Sequence, residues 1–129
     1  KMATSKTTLN NPLFTTKFED TDVSPGSSAS KVAISGSAVN LGKVFIDNTA
    51  FATKMYLKLY NVASDSLTVG TTTPLLVLPV EASTTVQYTF VPNIQFSSAC
   101  SYSLCTTGGT AGTTGANTAG IKAEFLIGS

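Results

Sequence analysis

Hydrophobic and polar residues alternate along Phe51–Val62, FATKMYLKLYNV, with Met55, Leu57 and Leu59 on one side and Tyr56, Lys58 and Tyr60 on the other. Successive strand side chains point to opposite faces, so the pattern predicts a half-buried strand with an aliphatic inner face. Lys58 fits the outer face, with its stem between two tyrosine rings and its ammonium in water. The same period sets Val86, Tyr88 and Phe90 against Thr85, Gln87 and Thr89 in Thr84–Val91. It sets Tyr102 and Leu104 against serines in Ala99–Cys105, and Ile121, Ala123, Phe125 and Ile127 against Lys122, Glu124 and Leu126 at the end. Shorter strands are expected at Lys31–Ile34, Ser66–Val69 and Ile94–Phe96. Ala38–Asp47 is interrupted by Gly42, which predicts a bulge or a turn. Leu75–Val80 is apolar on both faces, and Pro79 within it predicts that the strand lies at a sheet edge or ends near there. About eight short strands with no convincing helix predict an all-β chain, an antiparallel β-sandwich of jelly-roll type.

Two stretches break the pattern. Residues 1–30 hold no sustained period; turn formers at Asn10-Asn11-Pro12 and Ser24-Pro25-Gly26 separate sparse apolar residues. They are expected to form an extended N-terminal arm ahead of a sandwich domain at residues 31–129, with Leu9, Leu13, Phe14 and Phe18 as anchors that order on a neighbouring subunit. Removing the arm would then leave the domain folded. Thr106–Gly120, TTGGTAGTTGANTAG, has no side chain larger than Thr or Asn and no apolar anchor larger than Ala, and is expected to be a long flexible loop.

Composition narrows the chemistry. The 129 residues suit one domain with a modest core. Charged residues are only 12% of the chain, about half the usual share, so Ser and Thr carry the polar surface. Such a weakly charged surface favours an assembly over free solution at high concentration. There is no His and no Trp, and all eight basic residues are Lys. Without His, the commonest general base and metal ligand is missing, and Ser–His or Cys–His catalysis is excluded. Without Arg there is no bidentate fork for phosphate or guanine, and a net charge of +1 provides no field for nucleic acid or anionic lipid. Asp47, Asp65, Glu81 and Glu124 fall at turns or on outer faces, so no carboxylate pair is expected. Glu19, Asp20 and Asp22 lack the ligand spacing and glycine of a calcium loop. No catalytic, cofactor or metal residue is therefore assigned. Cys100 and Cys105 fall on opposite faces of one strand, roughly 17 Å apart, too far to bond. They are expected to be small buried or half-buried thiols of a protein made in a reducing cytoplasm. Lys1-Met2-Ala3-Thr4-Ser5 is followed by no apolar run, so no signal peptide is expected, and no segment reaches membrane-spanning length.

Several short motifs recur in a fixed order: Tyr56-Leu57-Lys58-Leu59-Tyr60-Asn61, Thr68-Val69-Gly70-Thr71-Thr72-Thr73-Pro74, Leu78-Pro79, Ile94-Gln95-Phe96-Ser97 and Ser101-Tyr102 before the Thr/Gly loop. In that order and spacing, Ala50–Ile127 resembles small β-sandwich structural proteins of tailed bacteriophages. Residues 1–30 lie outside the resemblance, and Cys100 and Cys105 are not part of its pattern. The resemblance implies a virion component without enzymatic activity, first of all a capsid decoration (cement) protein on the outer shell. It implies the major capsid protein and copies of the chain itself as partners, commonly as a homotrimer with an arm over adjacent subunits. The contact residues expected on this basis are Leu9, Leu13, Phe14 and Phe18 of the arm and Tyr56, Lys58 and Tyr60 of the aromatic face.

Two alternatives stay open. A fibre, spike or head-surface module would bind host glycan through residues 106–120, with Tyr56 or Tyr60 as stacking platforms. A tail or neck adaptor would differ only in location and symmetry.

Overall fold

The computed structural model describes residues 4–10 and 13–128. Nine strands follow one another: β1 (Thr4–Thr8), β2 (Thr16–Asp20), β3 (Val32–Ser35), β4 (Val39–Asp47), β5 (Met55–Tyr60), β6 (Leu76–Val80), β7 (Thr85–Phe96), β8 (Cys100–Cys105) and β9 (Lys122–Gly128). They form two antiparallel sheets packed face to face as a β-sandwich, in the orders β1-β2-β9-β4-β7 and β3-β8-β5-β6. From β2 onward the chain changes sheet at every connection except β5–β6. No helix among the described residues is long and apolar enough to cross a membrane.

The inner faces are those the alternation marks. Leu57 and Leu59 of β5 lie opposite Leu104 and Tyr102 of β8, while Val44 and Ile46 of β4 lie opposite Phe125 and Ala123 of β9. All eight are buried. Burying a Leu, Ile or Phe side chain stabilises by roughly 1.5–3 kcal/mol, so these facing rows hold the two sheets together. Asn48 ends β4: its side-chain Nδ2 donates to the carbonyls of Thr53 (3.1 Å) and Glu81 (3.0 Å), tying two loops at one end of the sandwich.

Gly42 sits at a bulge, where the β4 register shifts between Leu41 and Lys43. A Cβ there would lie 2.0 Å from the Phe14 ring, so the ring covers the backbone only because residue 42 is glycine. Opposite this bulge, the two strands expected at Thr84–Val91 and Ile94–Phe96 run together as β7, with Leu41 paired to Ile94 and Lys43 to Thr89. Pro92 is tolerated because β7 is an edge strand and residues 90–93 bulge away from the ladder. Pro79 likewise lies on an edge strand, β6. The short strand expected at Ser66–Val69 is instead a 3-10 turn at Ser64–Ser66 followed by a loop, with Leu67 N–H donating to the Ser64 carbonyl.

The N-terminal segment departs furthest from expectation. Instead of a detached arm, β2 pairs with β9 from Thr16↔Ile127 to Asp20↔Ala123, and β1 adds outside it. Phe18 is 2% exposed and packs edge-on against Tyr102 and Phe125, with ring centroids 6.1 and 6.0 Å away. Val23 is buried, and its N–H donates to the Ile121 carbonyl at 2.9 Å. Asn11 and Pro12, expected as turn formers, and the Lys1–Ala3 start lie outside the described residues.

Candidate functional site

The outer face of the four-stranded sheet is where Tyr56, Lys58 and Tyr60 project, beside Ser101, Ser103 and Cys105 of β8. It is not open. The segment following β8 folds back across it, and Lys58 is 0% exposed. Its ammonium, expected in water, donates to the Gly112 carbonyl at 3.0 Å. Tyr60 is buried too, and its hydroxyl shares a 3.1 Å hydrogen bond with Ser103 Oγ. Burial, against the opposing pull of that bond, holds the Tyr60 phenol above its usual pKa. Tyr56 is half-buried, with its ring against Gly108 and the Lys54 ammonium 5.3 Å from the ring centroid.

The covering segment is held by backbone bonds, which is why its lack of apolar anchors did not leave it loose. Thr106 N–H donates to the Thr114 carbonyl (3.0 Å) and Ala29 N–H to that of Thr113 (2.8 Å). Gly115 N–H donates to Ser27, Ala116 N–H to Ser24 and Asn117 N–H to Gly26. A Cβ at Gly115 would lie 2.5 Å from the Gly26 carbonyl oxygen, so this close approach needs glycine. The expected flexible loop is therefore a strap across β5, fastened to residues 24–29.

The four N-terminal contact candidates separate. Phe18 belongs to the core, and Leu9 and Phe14 are half-buried, with Leu9 N–H closing the β1–β2 connection onto the Thr15 carbonyl at 2.7 Å. Leu13 is 70% exposed at that turn. Two exposed apolar residues were not anticipated: Leu75 (50%), just before β6, and Val91 (90%), in the β7 bulge. Each adjoins a proline, Pro74 or Pro92, which is the sequence signal that could have marked it as a turn tip.

Titratable groups are scattered or enclosed. Asp20, on the inner face of β2, accepts hydrogen bonds from the Tyr102 hydroxyl and from Asp22 N–H (3.0 Å). Burial, reinforced by the Asp20 charge, pushes the Tyr102 phenol far above its usual pKa. Cys100 and Cys105 are free and buried, and burial pushes the Cys100 thiol up to about 12. Asp47 is held below its usual value by hydrogen bonds from the Thr49 hydroxyl and N–H. Glu81 pairs with Lys54 at 3.2 Å on the surface. Among the described residues no three His, Cys, Asp or Glu side chains converge as metal ligands would. A groove of about 250 Å³ beside β1 and β2 is lined by polar residues, Lys6, Thr15, Thr16, Ser35 and Ser37, and by Ala38, Val39, Ile127 and Gly128. No protein-family model matches the chain, and no curated protein matches it.

Proposed function

We propose that the chain is a non-enzymatic structural protein of a tailed-phage virion, a decoration protein that binds the outer capsid shell and bridges neighbouring capsomers. The observation that carries this reading is the strand order. Once β1 is set aside, β2-β9-β4-β7 faces β3-β8-β5-β6, the order expected of two interlocked Greek keys, and it supports a jelly-roll winding. Viral capsid domains are among the proteins built on that winding, an analogy at the level of fold. The motif resemblance supports the same reading from sequence, since its pieces fall on β5, the turn before β6, β6, and the β7–β8 region.

The mode of attachment differs from a free arm. With β2 inside the sheet and Phe18 in the core, the paired strands β1 and β2 meet the shell fixed to the sandwich. Leu13, in the connection between them, is the apolar anchor, flanked by half-buried Leu9 and Phe14. Modest affinity per site suffices, because contacts to several capsomers multiply through effective concentration. The glycan alternative loses its stacking platform, since Tyr60 and much of Tyr56 lie under the strap.

Adding the purified protein to shells that lack it, and counting bound copies by gel densitometry, tests the reading. Saturable binding in stoichiometric proportion to the major capsid protein is expected. Leu13→Asp should weaken it about tenfold while leaving circular dichroism unchanged. No binding of the wild-type chain to shells would sink the proposal.

A further inference from the structure

Each sheet of the sandwich ends in an edge strand whose outer backbone groups are available to another strand, and natural proteins usually blunt such edges with charge, proline, bulges or brevity. Three of the four edges here are blunted. β1 carries Lys6 at its centre. β3 is four residues long and its register shifts between Ala33 and Ser35. β6 contains Pro79, whose carbonyl is taken by the Tyr88 hydroxyl at 2.5 Å. The fourth edge is β7: Pro92 and the bulge at residues 90–93 interrupt its later half, but its Thr85–Thr89 part carries no charge, proline or bulge. Among the described residues it is paired with β4 on one side only, and it runs straight in register from Asp47↔Thr85 to Lys43↔Thr89. No charged residue lies anywhere between Glu81 and Lys122. On its inner face Val86, Tyr88 and Phe90 pack against the core yet remain only partly buried.

The pattern along this edge also says what covers it. Thr85-Val86-Gln87-Tyr88-Thr89 reads polar–apolar–polar–apolar–polar in both directions. Laid antiparallel on a second copy with Gln87 opposite Gln87, Thr85 meets Thr89 and Val86 meets Tyr88. Residues directly opposite in an antiparallel pair share a face, so this register keeps the apolar side chains of both copies on the core side. Thr–Thr and aromatic–β-branched pairs are among the favourable cross-strand combinations, and no like charges oppose. A two-fold contact of this kind is closed, because the same Thr85–Thr89 patch serves both copies and is not left free for a third.

We infer that Thr85–Thr89 is a self-association edge, at which β7 of one copy pairs antiparallel with β7 of a second copy to join the two five-stranded sheets. The inference rests on the shell-protein reading for its purpose, since pairwise contacts between copies on adjacent capsomers would tie those capsomers together. Its geometry stands on the edge alone.

Charge placed at Gln87, an exposed side chain whose replacement leaves the core intact, tests the contact. In sedimentation velocity across a range of concentrations, the wild-type chain should double in mass as concentration rises. Gln87→Lys and Gln87→Glu should each weaken that step about tenfold or more, because like charges then face each other across the two-fold. An equal mixture of the two variants should regain it. Thr7→Lys, on the β1 edge, should leave it unchanged. Constant mass for the wild type, undiminished association of either Gln87 variant, or no recovery in the mixture would overturn the inference. Failure here with intact shell binding would leave the shell-protein reading standing. Normal doubling with no shell binding would do the reverse.

Discussion

Lys58 holds the strap to the sheet with one charged hydrogen bond, to the Gly112 carbonyl, inside a site with no solvent access. Lys58→Ala removes that bond and a long buried stem together, and should cost about 2–4 kcal/mol in urea unfolding. The same variant should become sensitive to limited proteolysis within residues 106–116, which a purely local packing loss would not produce. Tyr102→Phe deletes the hydroxyl that Asp20 accepts from and should cost about 1.5–3 kcal/mol, the usual worth of a hydrogen bond to a charged group. The buried thiol and phenols also fix the response to alkali. Cys100 has a folded pKa of about 12 against an ordinary 9.0, and burial raises Tyr60 and Tyr102 in the same direction. The unfolded chain therefore releases these protons first as pH rises. Their contribution is fully present below about pH 9 and is lost progressively towards pH 12, so unfolding midpoints measured from pH 8 to 11 should fall. In the native protein at pH 8, a thiol reagent should label neither Cys100 nor Cys105 until denaturant is added, since both are buried.

Among the elements, β2 carries more weight than its sequence advertises. Phe18→Ala should destabilise by about 3–5 kcal/mol, and removing residues 1–20 should leave a chain with lost cooperativity in thermal unfolding rather than an intact domain. A truncated chain with an unchanged unfolding curve would show that β2 is dispensable. Thr16-Lys17-Phe18-Glu19-Asp20 gives little warning of this. It holds one apolar side chain, and the inner-face position two residues on is a carboxylate, Asp20, whose partner Tyr102 lies 82 residues away. Local periodicity cannot register a partner so distant in sequence. The same limit hid the burial of Lys58 and Tyr60. Their alternation in β5 correctly puts them on the face opposite Leu57 and Leu59, but only the strap shows that this face is covered. Where neighbours in sequence settle the outcome, the pattern was legible: the Gly42 bulge, the Pro79 edge and the inner rows of β4, β5, β8 and β9 all follow from residue type and period two.

At the scale of the whole molecule, a sandwich with a sparse charge pattern keeps most of its chemistry enclosed and presents backbone edges and isolated apolar tips instead. Leu13, Leu75 and Val91 are its large exposed apolar side chains among the described residues, and each sits at a turn or bulge rather than in a cleft. Such a surface suits many modest contacts in an assembly better than one tight small-molecule site. The proposed place of the chain on a virion is the central claim, and cryo-electron microscopy of phage particles assembled with the chain present tests it most directly. The account predicts many copies on the outer shell, in fixed ratio to the major capsid protein, with the β1–β2 turn seated on capsomers. A few copies at a single vertex or on fibres, or a particle without the chain, would contradict it.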